Sequence, residues 1–419
     1  MTTAEKIASN TVSQFLGKFV SMGVTIILTM LITRVYGVEG YGAFNLMVSF
    51  PALFYIISDF GINAISTREL SLDDKDINLH IGNVFILRFL LSVVLILLAS
   101  VLLLFLPYDT KIKAGVLISL LLILTTSFNS SSNVGFQVRL RYDLTTYANS
   151  VGSLMSLLLS SVIIFSKGSI FLIVASFIFS EFIKALLSFM FLKKVGITPI
   201  FKFDSNLSKR LFVSSIPLGL MFIFSQINFK ADSVLLSFLK LPASLNLNNI
   251  QTVGIYGLPY KVFEVSLIVP TFFMNSVYPI MVKNFSISKE RLFSTFSKST
   301  LILFLSGILC ALFGFFLSEF VIFALGGKGF YQSVFILKVL LGTIFIFYLT
   351  QPLSWLIVTL KGQNYLPFIY LSASIANLLL NVLLIPKYSF YASVHITWIS
   401  ELLILFLLAL TARRLWIKL

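Results

Sequence analysis

Long apolar stretches, each interrupted by a short polar segment, follow one another along the whole chain. A helix needs about 20 apolar residues to cross roughly 30 Å of hydrocarbon. The apolar runs are continuous and do not alternate with polar residues, which disfavours the strands of a membrane barrel. The pattern predicts an all-α polytopic membrane protein with twelve transmembrane helices. The predicted spans are 10–33, 41–65, 84–106, 113–134, 145–166, 168–192, 211–239, 252–282, 296–325, 331–360, 364–385 and 389–412.

Composition narrows the class of protein further. Of the 419 residues, 58% are hydrophobic and 11% are charged, against about 25% charged residues in an ordinary soluble domain. No water-soluble core could hide so much apolar surface, so a soluble globular enzyme is excluded. The single cysteine, Cys310, excludes an intramolecular disulfide and a cysteine-based metal cluster. His80 and His395 are too far apart in sequence to indicate a metal site.

The distribution of Lys and Arg predicts the orientation in the membrane. The net charge is +15, and with the amino terminus inside, 18 of the 31 basic residues fall in inner segments and 7 in outer loops. Cytoplasmic loops carry the excess of Lys and Arg in membrane proteins, so both termini are predicted to be cytoplasmic. The longest inner segment, 193–210, is a predicted cytoplasmic linker between a six-span lobe at 1–192 and a second at 211–419.

Three lysines lie inside predicted spans, well away from the membrane surfaces. They are Lys18 in span 1, Lys230 in span 7 and Lys261 in span 8. A charge at the centre of a span costs at least ~2.5–3.5 kcal/mol on insertion scales. If these three helices line one cavity, that cavity is cationic, and it predicts an anionic substrate or headgroup.

Other intramembrane charges have local explanations. Glu181 and Lys184 are three residues apart, as are Lys261 and Glu264. Side chains with this spacing share one face of a helix and can pair, which lowers the cost of insertion. Arg88 lies a turn inside span 3 and is expected to extend its side chain to the inner membrane surface.

Three acidic residues are candidates for ion coupling: Asp59, Asp232 and Glu264. Lys230 and Asp232 are two residues apart, which places them about 200° apart around an ideal helix, so Asp232 need not neutralise Lys230. The alternative role for Asp232 is to tie span 7 to a neighbouring helix. Glu401 also lies within a span, and the sequence assigns it no role.

Motifs of the common enzyme classes are missing from the chain. The sequence has no His-Glu-x-x-His, no Gly-x-Ser-x-Gly and no phosphate-binding loop, so we expect no ATP hydrolysis by the chain itself. No segment between spans is large enough for a catalytic domain. We therefore expect no cofactor, no metal and no nucleic-acid partner.

Prolines inside spans predict kinked helices. Pro51, Pro217, Pro259 and Pro270 fall within spans 2, 7 and 8. A proline within a helix frees backbone carbonyls, which is tolerated where they face a cavity or a neighbouring helix. Span 8, which contains two of these prolines, is the best candidate for a helix that bends.

Several segments, in this order, carry a resemblance that covers nearly the whole chain. They are RVYGVEGYGAF at 34–44, DFG at 59–61, FKAD at 229–232, VGIYGLPYK at 253–261, YPI at 278–280 and NLLLNVLLIPKY at 377–388. Together they resemble the lipid-linked oligosaccharide flippases, including O-antigen flippases, of the multidrug/oligosaccharidyl-lipid/polysaccharide exporter superfamily. One departure is Pro259, which stands where the family pattern has a small residue.

This resemblance implies two six-helix lobes around a central cavity lined by spans 1, 2, 7 and 8. It also implies alternating access in the bacterial inner membrane, with a polyprenyl-diphosphate-linked oligosaccharide as the substrate. The lipid bilayer and other polysaccharide assembly proteins are the implied partners. The related lipid II flippase has two further spans, for which this chain has no room.

Two other functions remain open at this point. A cation-coupled drug or metabolite antiporter of the same superfamily would need acidic residues to dominate the cavity, whereas here lysines accompany the acids in spans 7 and 8. A membrane-embedded polysaccharide polymerase would need an outer loop with catalytic side chains. The longest outer segment, 240–251, contains no carboxylate or histidine to act as acid or base.

Overall fold

The computed structural model describes residues 3–72 and 76–418, without the side chains of 3–13, 15 and 72. Lys6 and Lys75, counted among the predicted cytoplasmic lysines, lie outside the described side chains, as do Met1 and Leu419 at the chain ends. The side of the membrane on which the ends lie stays a prediction. The helices are α1 Thr3–Asp59, α2 Ile62–Leu72, α3 Ile77–Phe105, α4 Thr110–Ser119, α5 Leu121–Val138, α6 Tyr142–Phe165, α7 Ile170–Leu192, α8 Ser205–Phe238, α9 Asn249–Ser266, α10 Ile268–Ile287, α11 Lys289–Gly326, α12 Tyr331–Gly342, α13 Ile344–Thr359, α14 Leu366–Tyr388 and α15 Phe390–Ile417.

The predicted all-α polytopic class is confirmed. Within the described residues, eleven helical segments are long and apolar enough to cross a membrane, and the first, Leu16–Ser71, has 56 residues. At 1.5 Å per residue this first segment is long enough for two crossings. Its helical conformation is interrupted at Gly37, with φ 67° and ψ −164°. A side chain disfavours that backbone conformation, so glycine is suited to the junction between predicted spans 1 and 2.

Span 8 is broken next to one of its two prolines. Helix α9 ends at Ser266 and α10 begins at Ile268, with Leu267 between them, whereas Pro259 lies within α9. Pro270 has no N–H, so the carbonyl of Ser266 loses its helical donor. The hydroxyl of Tyr348 donates to this carbonyl at 2.9 Å instead. The break is therefore stable within the apolar unit because a side chain replaces the missing backbone hydrogen bond.

Contacts divide the chain into two units, Met1–Ile223 and Phe224–Leu419, hereafter unit 1 and unit 2. In unit 1, α1 packs along α6, and α5 lies between α3 and α7. In unit 2, α15 packs against α13 and α14, and α11 packs against α10, α12 and α13. The division falls within α8, so the first part of this helix packs with unit 1. The assignment of two six-span lobes at 1–192 and 211–419 stays a prediction.

The segment 193–210, the predicted linker, lies within unit 1 and is fastened to α3. The side-chain nitrogen of Asn83 donates to the carbonyl of Lys202 at 2.9 Å. Its side-chain oxygen accepts a hydrogen bond from the N–H of Asp204 at 2.7 Å. Asn83 is fully buried, so one side chain satisfies two backbone groups that have no helical partner. This anchor holds the segment immediately before α8 against α3.

A glycine in α3 permits the close approach of this segment and provides a stability test. A Cβ at Gly82 would lie 1.9 Å from the carbonyl oxygen of Ile200, which belongs to the backbone and cannot rotate away. We expect Gly82→Ala to lower the free energy of unfolding by about 1–3 kcal/mol. The matched control is Gly23→Ala in α1, where an added Cβ meets nothing within 4 Å. Thermal unfolding in detergent measures both variants, and equal melting temperatures would contradict the close approach.

Candidate functional site

A capping box fixes the first turn of α9, the helix that carries Lys261 and Glu264. Asn248 accepts a hydrogen bond from the N–H of Gln251 at 2.8 Å, and the Gln251 side chain accepts one from the N–H of Asn248 at 3.1 Å. This reciprocal capping box satisfies two N–H groups that the first turn leaves without helical partners. The register of α9 then places Lys261 and Glu264 on one face, as the sequence predicts.

Glu264 joins two of the predicted lysines. One of its carboxylate oxygens accepts a hydrogen bond from Lys230 on α8, and the other accepts one from Lys261 at 2.9 Å. The side chains of Lys230, Lys261 and Glu264 are 19%, 35% and 23% exposed. We call these three residues the lysine cluster. Two ammonium groups share one carboxylate, so the lysine cluster carries one net positive charge.

The lysine cluster is suited to binding an anion. Each ammonium group has three donors, and its charge makes the hydrogen bonds to an oxyanion short and strong. Lys261 is the most accessible member, and Lys230 also lies 5.9 Å from the centre of the Tyr260 ring. An anion bound at Lys261 would therefore meet a positive charge already oriented by Glu264. Glu264 itself serves as the counter-ion of both lysines.

Asp232 lies in a different environment from Lys230, although both belong to α8. It is 1% exposed, and its two carboxylate oxygens accept hydrogen bonds from the Tyr256 hydroxyl at 2.7 Å and the Asn381 amide at 2.9 Å. Ser393 in turn donates to the Asn381 side-chain oxygen at 2.8 Å. Among the described residues, no Lys or Arg forms an ion pair with Asp232. The carboxylate is held by neutral donors from two other helices, α9 and α14.

Unit 1 contains a buried ion pair that corrects one expectation. Arg88 does not extend to the membrane surface: it is 1% exposed and pairs with Asp59. Its guanidinium also donates to Asn63 at 3.1 Å and to Ser131 at 3.3 Å. Arg88 is buried because three acceptors from other parts of unit 1 surround it, and no periodic pattern reveals them. Asp59 is 31% exposed and serves as the counter-ion of Arg88.

The remaining predicted basic residue, Lys18, lies on α1 of unit 1 with an exposed side chain. Its part in substrate binding stays a prediction. The predicted pair Glu181–Lys184 is present on α7 of the same unit. Among the described residues, no cluster of three His, Cys, Asp or Glu side chains is arranged to hold a metal ion.

Sequence reasoning missed the residues that hold the charged groups. Tyr256 and Asn381 bind Asp232, and Asn63 and Ser131 bind Arg88. Tyr256 and Asn381 both lie in segments that carry the family resemblance, which was the available signal. Their partners lie far away in the sequence, so spacing alone could not identify them.

Comparisons with known proteins bear on the whole chain. A family model described as polysaccharide biosynthesis protein matches residues 7–285. No match to a curated protein was found. The fold is similar to a solved lipid II flippase MurJ in an inward closed conformation, with a TM-score of 0.76 and 15% identity over 96% of this chain and 88% of that one. It is also similar to an inward-facing multidrug resistance MATE family transporter of the MOP superfamily. That TM-score is 0.73, with 10% identity over 94% of this chain and 95% of that chain.

The shared carboxylate of the lysine cluster can be tested through stability. We expect Glu264→Gln to destabilise the protein by about 1–3 kcal/mol, because it leaves two ammonium groups close together without a counter-ion. Adding Lys230→Met should recover part of that loss, because one of the two repelling charges is then removed. Thermal unfolding of the two single variants and the double variant measures the coupling energy. Additive effects would show that Glu264 and Lys230 do not interact.

Proposed function

Because the chain belongs to the polysaccharide biosynthesis protein family, we propose that it is a flippase for a polyprenyl-diphosphate-linked oligosaccharide. The substrate would pass from the cytoplasmic to the outer leaflet of the bacterial inner membrane by alternating access. The observation that carries the proposal is the lysine cluster, a net positive charge among membrane-spanning helices of unit 2. A net charge among membrane-spanning helices is costly, and such charges commonly mark the path or binding site of a charged substrate.

In the proposed mechanism, the diphosphate binds the ammonium groups of Lys261 and Lys230. Lysine acts as a compact point charge with rotatable donors, so it can follow the diphosphate as the protein changes conformation. Glu264 keeps the two ammonium groups close together before the substrate arrives and neutralises part of their charge afterwards. Lys18 of unit 1 is proposed as a further basic contact for the same substrate. The prenyl tail stays in the lipid, and the other polysaccharide assembly proteins act on the product at the outer surface.

The membrane potential favours this direction of transport. Moving one elementary charge across a potential of 100 mV changes the free energy by about 2.3 kcal/mol. A diphosphate carries about two negative charges, and it moves outward across a membrane whose inside is negative. Export therefore needs no ATP hydrolysis. Where a coupling ion adds to this drive, we propose that it acts at Asp232, because Asp59 and Glu264 each balance basic side chains.

A cation-coupled drug or metabolite antiporter is the alternative, since one of the similar folds belongs to a MATE family transporter. An antiporter of cationic drugs would need an excess of carboxylates where the drug binds. The lysine cluster has the opposite net charge, which supports an anionic substrate. A polymerase is disfavoured because both similar folds belong to transporters.

Lysine variants test the proposed substrate site. We expect Lys230→Ala and Lys261→Ala to lower glycan export by about tenfold or more, since each loses a charged hydrogen bond worth about 1.5–3 kcal/mol. Lys→Arg at either position should retain more activity, because the charge remains. Lys18→Ala is measured in the same series. The control is Lys240→Ala, an exposed lysine that follows α8. Wild-type export by all three alanine variants, at equal protein levels in the membrane, would remove the proposed site.

Reconstituted protein separates the electrical drive from ion coupling. Proteoliposomes would contain a fluorescent polyprenyl-diphosphate oligosaccharide and hold an inside-negative potential without an ion gradient. A flippase driven by potential alone should work under these conditions, and Asp232→Asn should retain most of the activity. If wild-type protein works only after a sodium or pH gradient is added, potential alone is insufficient. A normally folded Asp232→Asn variant that no longer responds to the gradient would then support coupling at Asp232.

A further inference from the structure

A second buried carboxylate of unit 2, Glu401 on α15, borders a polar cavity outside the lysine cluster. The cavity has a volume of about 230 Å³ and lies between α8, α10, α13, α14 and α15. It is large enough to hold several water molecules, and its lining offers them hydrogen-bond partners. The polar side chains that line it are Ser225, Asn228, Thr271, Thr350, Gln351, Tyr370 and Glu401.

Glu401 has no positive counterpart in this environment. It is 3% exposed, and the amide nitrogen of Asn228 on α8 donates to one of its carboxylate oxygens at 3.1 Å. Among the described residues, no Lys or Arg forms an ion pair with Glu401. An ionised carboxylate buried without a positive partner is costly, and the usual relief is to take up a proton.

The partner of Glu401 also lacks one hydrogen bond. Asn228 is 8% exposed, and its side-chain oxygen has no donor. A carboxylate cannot supply one, because an ionised carboxylate only accepts. A carboxylic acid can, since it donates through its O–H and accepts through its carbonyl. A protonated Glu401 would thus satisfy both ends of the Asn228 amide as a cyclic acid–amide pair.

The other ionisable side chains around Glu401 favour the binding of a single proton by its carboxylate. The other ionisable side chains that face Glu401 are Tyr370 on α14 and Tyr260 on α9, neither of which carries a positive charge. Helix α13 lines the cavity with side chains that do not titrate. On α12, Lys338 lies over the ring of Phe315 on α11 instead, 5.0 Å from its centre. No basic side chain among these groups competes with a proton for the carboxylate.

A series of hydrogen-bonded polar side chains runs from Asp232 to the residue beside Glu401. Ser400, next to Glu401 on α15, accepts a hydrogen bond from Asn377 at 3.3 Å. Asn381 donates to the side-chain oxygen of Asn377 at 3.1 Å and to Asp232 at 2.9 Å. The hydrogen-bonded series therefore runs from Asp232 to Ser400, and Glu401 adjoins its far end as the next residue on α15.

We propose that Glu401 binds and releases a proton during each transport cycle, so that the coupling ion of the flippase is a proton that acts at Glu401 together with Asp232. This inference rests on the proposed function. When Glu401 takes up a proton from water in the cavity, the proton adds to the free carboxylate oxygen. The resulting O–H donates to the side-chain oxygen of Asn228. When Glu401 is deprotonated, the proton has returned to water in the cavity. The carboxylate then keeps only the hydrogen bond from the Asn228 nitrogen.

Infrared difference spectroscopy of the full-length protein in lipid tests proton binding without any substrate. Acidification should produce the carbonyl band of a protonated carboxyl group in the wild type. We expect the Glu401 component of this band to be absent from Glu401→Gln and unchanged in Glu319→Gln, a control that replaces an exposed glutamate of α11. Asn228→Leu should shift the band, because the acid loses its amide partner. If Glu401→Gln does not fold, Glu401→Asp can be used to assign the carbonyl band to position 401. The shorter acidic side chain should shift the frequency of the band. An identical band in the wild type and every Glu401 variant would overturn the proposal.

The equilibrium distribution of the fluorescent polyprenyl-diphosphate oligosaccharide between leaflets tests coupling. With the potential held at zero, a pH difference of one unit should shift the wild-type distribution by about tenfold for each coupled proton. Glu401→Gln, whose side chain cannot release a proton, should show no shift. If the wild type does not move the substrate at all, the proposed function is wrong. The infrared experiment still tests proton binding at Glu401, because it uses no substrate. If the wild type moves substrate but responds to sodium instead of pH, or if Glu401→Gln keeps the pH response, the proton proposal is wrong.

Discussion

An ionised side chain among membrane-spanning helices is costly without a group of opposite charge, and the requirement for such a partner organises the interior of both units. Leaving one charge unpaired after its partner is removed costs about 3–5 kcal/mol in a fully buried site. Arg88 and Asp59 satisfy the requirement in unit 1, where Arg88 is 1% exposed. In unit 2, Glu264 pairs with both Lys230 and Lys261, which meets part of the requirement and leaves one net positive charge. The helices that carry these groups must therefore pack in the register that brings the charges together.

The same requirement divides the carboxylates among the membrane-spanning helices into two kinds. Asp59 and Glu264 have basic partners, and their charges are balanced within the structure. Asp232 and Glu401 have only neutral donors among the described residues, and they are 1% and 3% exposed. A carboxylate of the second kind changes its net charge when it binds a cation or a proton, because no fixed positive charge compensates for it. Such groups are suited to couple transport to an ion, whereas the lysine cluster is suited to hold an anion.

Backbone groups follow a parallel rule, and it positions the charged residues. The carbonyl of Ser266, which Pro270 leaves without a donor, is bound by Tyr348 only two residues after Glu264. The segment before α8 is bound by the buried Asn83 of α3. Both cases place a polar side chain from a distant part of the unit against an unsatisfied backbone group. These contacts keep α8 and α9 in place at the ends where their hydrogen-bonding pattern is interrupted.

The sequence by itself determined the membrane class, the positions of the spans and the pairs within one helix. Hydrophobic runs and the three-residue spacing of Lys261 and Glu264 are local properties, and helix geometry alone converts them into structure. Only the tertiary structure decided which distant groups meet. Lys230 and Glu264 are 34 residues apart, and Asp232 and Asn381 are 149 apart. The sequence placed Arg88 at the membrane surface because its acceptors lie on other segments, and helix periodicity carries no information about which helices pack together.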